Sequence, residues 1–168
     1  MGYYNVIYHF GIDNFIKSCE HVGVDGLIIV DLQPEEDSLL LDKIQSKKID
    51  LIRLVTPTTN KNRLTTILKN ASGFLYYVTI TGITGQHSAN IETLRESIQE
   101  VKKLSSLPVV AGFGIKNYEQ VKKICSFSDG VVVGSSIIKI IEENIKNNKD
   151  SIVPKISNFV TDLKRGII

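Results

Sequence analysis

Apolar runs of about four or five residues alternate along this chain with longer stretches whose apolar positions recur every three or four residues. A Val/Ile/Leu run bounded by turn residues predicts a strand buried on both faces, and the longer period predicts an amphipathic helix. The strands predicted this way are Leu27–Asp31, Leu51–Val55, Phe74–Val78, Val109–Gly112 and Val131–Val133. Met1–Asn5, with no turn or cap ahead of it, reads as the tail of one more strand. Between them fall helices. The first starts at Gly11, turns Phe15, Ile16, Cys19 and Val22 inward, and stops at Gly23. The next opens at Pro34 with Glu35, Glu36 and Asp37 in its first turn, where the dipole favours acid, and buries Leu39, Leu40 and Ile44. Further helices span 61–70, 91–104, 117–125, 137–143 and 152–166. Such strict alternation predicts an all-parallel sheet with right-handed crossovers.

Val109–Ile115 and Ser128–Ser136 stand out because each strand runs into glycine and then into a helical pattern. Gly112, Gly114 and Gly134 let backbone come close to a ligand, and Gly134-Ser135-Ser136 opens a helix whose first amides and positive dipole end favour an anion. Two such corners on successive late strands match the phosphate cradle of a (β/α)8 barrel, formed after its seventh and eighth strands. A doubly wound sheet would put its phosphate fingerprint after the first strand. The expected architecture is therefore α/β of the (β/α)8 TIM-barrel type, incomplete, with about five of eight βα units, all in one domain over 1–168. Five strands cannot close an eight-stranded barrel. Three similar helix-to-strand turns, Val24-Asp25-Gly26, Ala71-Ser72-Gly73 and Ser128-Asp129-Gly130, lie at the opposite end of the sheet and are read as structural. The connection from Thr79 to about Asn90 is long, and Gly82 and Gly85 give it hinge freedom, so it is expected to act as a lid.

Composition narrows the picture. The chain has 168 residues, 42% hydrophobic and 23% charged, with a net charge of +2. That is an ordinary globular domain with no basic stripe for nucleic acid and no apolar run long enough for a membrane span. Two cysteines, Cys19 and Cys125, lack metal-type spacing and suit a reducing compartment. His9 and His21 have no partner spacing and read as surface or interface residues; His87, in the long connection, reads as a solvent-exposed histidine, with a role as a base the alternative. Asp31 ends a strand on the cradle's side; it is read as a turn or cap residue ahead of Pro34, with a carboxylate role as the alternative. Arg53, inside an apolar strand, either pairs with an acid or reaches an exposed end, because an unpaired buried charge is costly.

The chain resembles the tryptophan synthase α subunit family. The resemblance rests on Met1-Gly2-Tyr3-Tyr4-Asn5, Gly23-Val24-Asp25-Gly26 through Asp31-Leu32-Gln33-Pro34-Glu35-Glu36, and Thr56-Pro57-Thr58. It continues in Gly73–Val78, Thr81-Gly82-Ile83-Thr84-Gly85, Gly112-Phe113-Gly114-Ile115 and Asp129–Ser135. It covers essentially the whole chain, as the C-terminal part of the family's barrel from about the end of barrel strand 3 onward. The resemblance implies cleavage of indole-3-glycerol phosphate to indole and glyceraldehyde 3-phosphate in tryptophan biosynthesis, in the cytoplasm or, for an alga, a plastid. It implies a β subunit as partner in an αββα complex, with pyridoxal phosphate on the β subunit and no cofactor or metal in this chain. It also implies that backbone at Gly85, Gly114, Gly134 and Ser135 holds the phosphate with Phe113 beside it. Tyr3 and Tyr76 would line the indole pocket, and Thr81, Gly82, Thr84 and Gly85 would belong to the mobile loop.

The family's acid/base glutamate and its aspartate partner fall before the region aligned with Met1, so no catalytic residue is identified here; Tyr76 and Thr84 are supporting. The chain alone is expected to be inactive and poorly folded. Two alternatives stay open: another phosphate-ligand TIM-barrel isomerase, or a non-catalytic binder of phosphate or of the β subunit.

Overall fold

A computed structural model describes residues 1–78, 88–112, 114–146 and 148–167, with 88–90 described for their backbone. Helices α1 (Tyr4–Phe10) and α2 (Ile12–Val22) precede strand β1 (Gly26–Ile28). Strand and helix then alternate: α3 (Ser38–Gln45), β2 (Asp50–Val55), α4 (Lys61–Leu68), β3 (Leu75–Val78), α5 (Ser88–Leu104), β4 (Val109–Gly112), α6 (Tyr118–Cys125), β5 (Gly130–Val132), α7 (Ser135–Asn144) and α8 (Ile152–Lys164). Among the described residues the five strands form one parallel sheet in the order β1-β2-β3-β4-β5. Register places Leu54 beside Tyr76, Tyr76 beside Val110, and Val110 beside Gly130.

Side chains alternate across a strand, so Leu75 and Tyr77 face the opposite way from Tyr76 and Val78. The first pair joins a core with Val55, Leu64, Ile98, Val109 and Ile124. A second core gathers Ile16, Cys19, Leu27, Leu40, Ile44 and Leu51 around β1 and the first half of β2. Arg53 shares a face of β2 with Leu51 and Val55 and stands between the two cores. Its guanidinium pairs with Asp37 and donates from Nη1 to the Leu32 carbonyl at 3.3 Å. Both side chains are buried, at 5% and 3% exposure.

Local chemistry fixes many boundaries. Gly23 adopts a left-handed conformation (φ 74°) that ends α2, with the Val24 amide reaching back to the Cys19 carbonyl at 2.9 Å. Asn60 and Asn117 cap α4 and α6, each side chain accepting an amide three residues on. At the amino end of the sheet, the Asp129 carboxylate accepts the Val109 amide at 2.7 Å and the Lys102 ammonium at 2.8 Å. Ser72 Oγ accepts the Leu51 amide at 2.9 Å. These turns join neighbouring strands, as the sequence predicts.

Four expectations need correction. Tyr4–Phe10 is helical, and only Gly2 keeps strand character, as a single parallel bridge to Ile29. The helix expected at Pro34 begins at Ser38, because Glu35 and Asp37 are engaged by Arg63 and Arg53 and hold 34–37 as a turn. Leu39 and Val22, both expected to face inward, are exposed and lie outside the core. Helix α5 starts at Ser88, three residues before the expected Ile91. No described helix is long and apolar enough to cross a membrane.

Candidate functional site

The site is built at the carboxyl ends of β4 and β5. Strand β4 ends at Gly112, where an added Cβ would lie 2.3 Å from the Tyr76 ring and hydroxyl. The bare face of Gly112 therefore admits the tyrosine rather than a ligand. Gly114 differs: its φ of 52° favours glycine, and a Cβ there would meet nothing within 4 Å. A Cβ at Gly134 would likewise enter open space.

Gly134 is the N-cap of α7 and supplies no side chain to its orphan amides. The Ile137 and Ile138 amides both donate to the Gly134 carbonyl, at 2.9 and 3.1 Å. Those of Ser135 and Ser136 have no protein partner among the described residues. Ser136 Oγ donates to the Ile115 carbonyl at 2.6 Å, which pins the start of α7 against the chain leaving β4. Two open glycine corners and two free amides at the positive end of a ten-residue helix are thus drawn together. An oxyanion with several acceptor oxygens suits that arrangement.

Tyr76 stands on the face of β3 away from the helices, half-buried, and burial raises its phenol pKa. It is a neutral donor at physiological pH. Tyr77, its neighbour, is buried among the helix-facing residues beside Ser97. Tyr3 lies far from this arrangement along the sheet: it is exposed and acts as the N-cap of α1 at the β1 edge. Thr81, Gly82, Thr84, Gly85, His87 and Phe113 lie outside the described residues.

Other candidates resolve into structure. Asp31 accepts the Tyr4 amide at 2.7 Å, so it caps α1 rather than the helix after Pro34. The hydrogen bond from Arg63 and one from its own backbone hold the Glu35 carboxyl below its ordinary pKa, and Arg63 also donates to Gln33. Sequence reasoning missed Asp37. It looked like one acid among several, and only the fold sets it against Arg53.

An all-parallel βα sheet with open glycine corners after β4 and β5 is that of a barrel-type α/β protein of the (β/α)8 class. The model of the tryptophan synthase alpha chain family matches residues 1–167, and the chain belongs to that family. The tryptophan synthase subunit alpha from Legionella pneumophila str. Paris is 33% identical with a TM-score of 0.86, over 99% of this chain and 61% of that one. The Campylobacter jejuni subunit alpha is 36% identical with a TM-score of 0.82, over 94% of this chain and 62% of that one. A tryptophan synthase complex from Pyrococcus furiosus contains a chain 28% identical, with a TM-score of 0.81, over 96% of this chain and 62% of that one. The chain thus spans about three fifths of the length of these solved relatives.

Proposed function

We propose that this chain supplies the phosphate-gripping and indole-facing side of a lyase that cleaves indole-3-glycerol phosphate to indole and glyceraldehyde 3-phosphate. The observation that carries the reading is the pair of unpartnered amides, Ser135 and Ser136, facing open space bordered by Gly114 and Gly134. A dianion seated there anchors the substrate's glycerol end. Tyr76, packed on Gly112, offers a neutral phenol toward the reacting side chain and, with Tyr3, belongs to the indole pocket by family resemblance. Gly85 and Phe113 complete the phosphate contacts, and Thr84 acts from the loop that also holds Thr81 and Gly82.

Retro-aldol cleavage needs a proton delivered to the indole carbon and a base for the glycerol hydroxyl. By the resemblance those carboxylates belong to the part of the family's chain that precedes the residue matched to Met1. The residues of this chain bind and orient the substrate, and by the resemblance the proton transfers belong to that other part of the family's chain. A tryptophan synthase β subunit carrying pyridoxal phosphate is the partner that receives indole, and the reaction runs in the cytoplasm. Family membership favours this reading over that of a different phosphate-ligand isomerase.

Calorimetric titration tests it. The chain should bind indole-3-glycerol phosphate and glyceraldehyde 3-phosphate but not glycerol. Ser135→Asp, which puts a negative charge among the amides, should weaken binding by tenfold or more. Equal affinity in the variant, or equal binding of glycerol, overturns the assignment.

A further inference from the structure

A serine near the start of a helix ordinarily turns its hydroxyl onto backbone close by in the sequence. Ser136, the second residue of α7, instead donates to the carbonyl of Ile115, 21 positions earlier, at 2.6 Å. That carbonyl has no other hydrogen-bond partner among the described residues. The hydroxyl proton is thereby committed to protein, so the side chain holds backbone and leaves an anion to the amides.

The segment it holds is fixed on its other sides. The Ile115 side chain is 1% exposed and lies in the core with Val109, Val121 and Ile124. Just beyond it, Gln120 Oε1 accepts the Lys116 amide at 2.7 Å, while the Gln120 amide donates to Asn117 Oδ1 at 3.0 Å. This reciprocal cap anchors the start of α6. Gly114, next to Ile115, keeps open space beside it and a φ of 52°. One side-chain hydrogen bond therefore ties the corner after β4 to the corner after β5, and their spacing is set before any ligand arrives. An anion with oxygens on both corners binds more tightly when that spacing is fixed in advance, because less backbone has to be ordered on binding.

We propose that Ser136 is a positioning residue of the phosphate site proposed above, on which its role depends. Its hydroxyl locks Gly114 and the first amides of α7 into one preassembled cradle for a phosphate monoester.

The test titrates the 168-residue chain with glyceraldehyde 3-phosphate, followed by calorimetry and amide-resolved nuclear magnetic resonance. In wild type the Gly114 and Ser135 resonances should saturate together. Ser136→Ala keeps both amides and deletes only the hydroxyl. It should weaken binding about fivefold, the worth of one hydrogen bond, and uncouple the two corners, so that Ser135 still shifts and Gly114 does not. Ser136→Thr, which retains the hydroxyl, should restore affinity and coupling. In ligand-free wild type, the order parameters of Gly114 and Ser135 should already match the rigid backbone of β4, at about 0.85. A serine that only braced the fold would lower the melting temperature of Ser136→Ala and leave affinity and coupled shifts as in wild type; that result overturns the proposal. So do order parameters below about 0.6 at either corner that rise only on binding. A wild type that ignores the probe, together with an indifferent Ser135→Asp, overturns the phosphate site itself and the role of Ser136 with it.

Discussion

A carboxylate at or after the end of a strand can serve chemistry, cap a helix or balance a buried charge; Asp31 does the second and Asp37 the third. Asp37 and Arg53 are the clearest case. Burial pulls the guanidinium's pKa down, and the charge of nearby Glu35 offsets part of that. Truncating one member of a buried pair strands the other charge, so Asp37→Ala should cost about 3–5 kcal/mol in urea unfolding. Replacing both by apolar residues, Asp37→Leu with Arg53→Met, should recover most of that loss. Equal stability of wild type and Asp37→Ala would refute the pairing as drawn. The oddity of Arg53 was legible in the sequence; its partner was not, because Asp37 reads as a first-turn acid until the loop folds over β2. Gly112 is a second such residue. The sequence marks it as a place of close approach, and the Tyr76 ring turns out to be what approaches.

At the scale of elements, regular periodicity and local capping made most helices legible: Gly23 ends α2, and Asn60 and Asn117 begin α4 and α6. Helix α1 was hidden because its seven residues receive their cap from Asp31, 27 positions away. Asp31→Ala should lower the stability of that helix by about 1 kcal/mol. Hydrogen exchange of the Tyr4–Phe10 amides reads this directly; unchanged protection would deny Asp31 its role. The turn at Asp129 carries a pH dependence. Burial works to raise its pKa, but the Lys102 hydrogen bond, the Val109 amide and the Lys102 charge together hold it below the ordinary value. A carboxyl depressed in the fold stabilises above its unfolded pKa of about 3.9, and that contribution is lost as pH falls through the folded value. Melting temperature should therefore fall more steeply below about pH 4 in wild type than in Asp129→Asn. Parallel curves would contradict this.

For the molecule as a whole, the parallel βα order was legible because buried strands and amphipathic helices have distinct periods. An apolar groove between β1, α1 and α2 was not, because it depends on how those helices pack beside an open edge. Among the described residues β1, apart from the Gly2 bridge to Ile29, and β5 have no strand neighbour on their outer sides, and such open edges invite association. Light scattering of the chain alone should show mass rising with concentration above one chain; a monomer at every concentration would count against open edges. The central claim concerns the opposite rim, where the amides of α7 meet Gly114. It is tested most directly by amide-resolved nuclear magnetic resonance during titration with glyceraldehyde 3-phosphate. The account predicts that the Gly114, Gly134, Ser135 and Ser136 resonances move together and saturate, and stay still when glycerol is added. Saturable shifts confined to other residues, or no shift at these four, would contradict it.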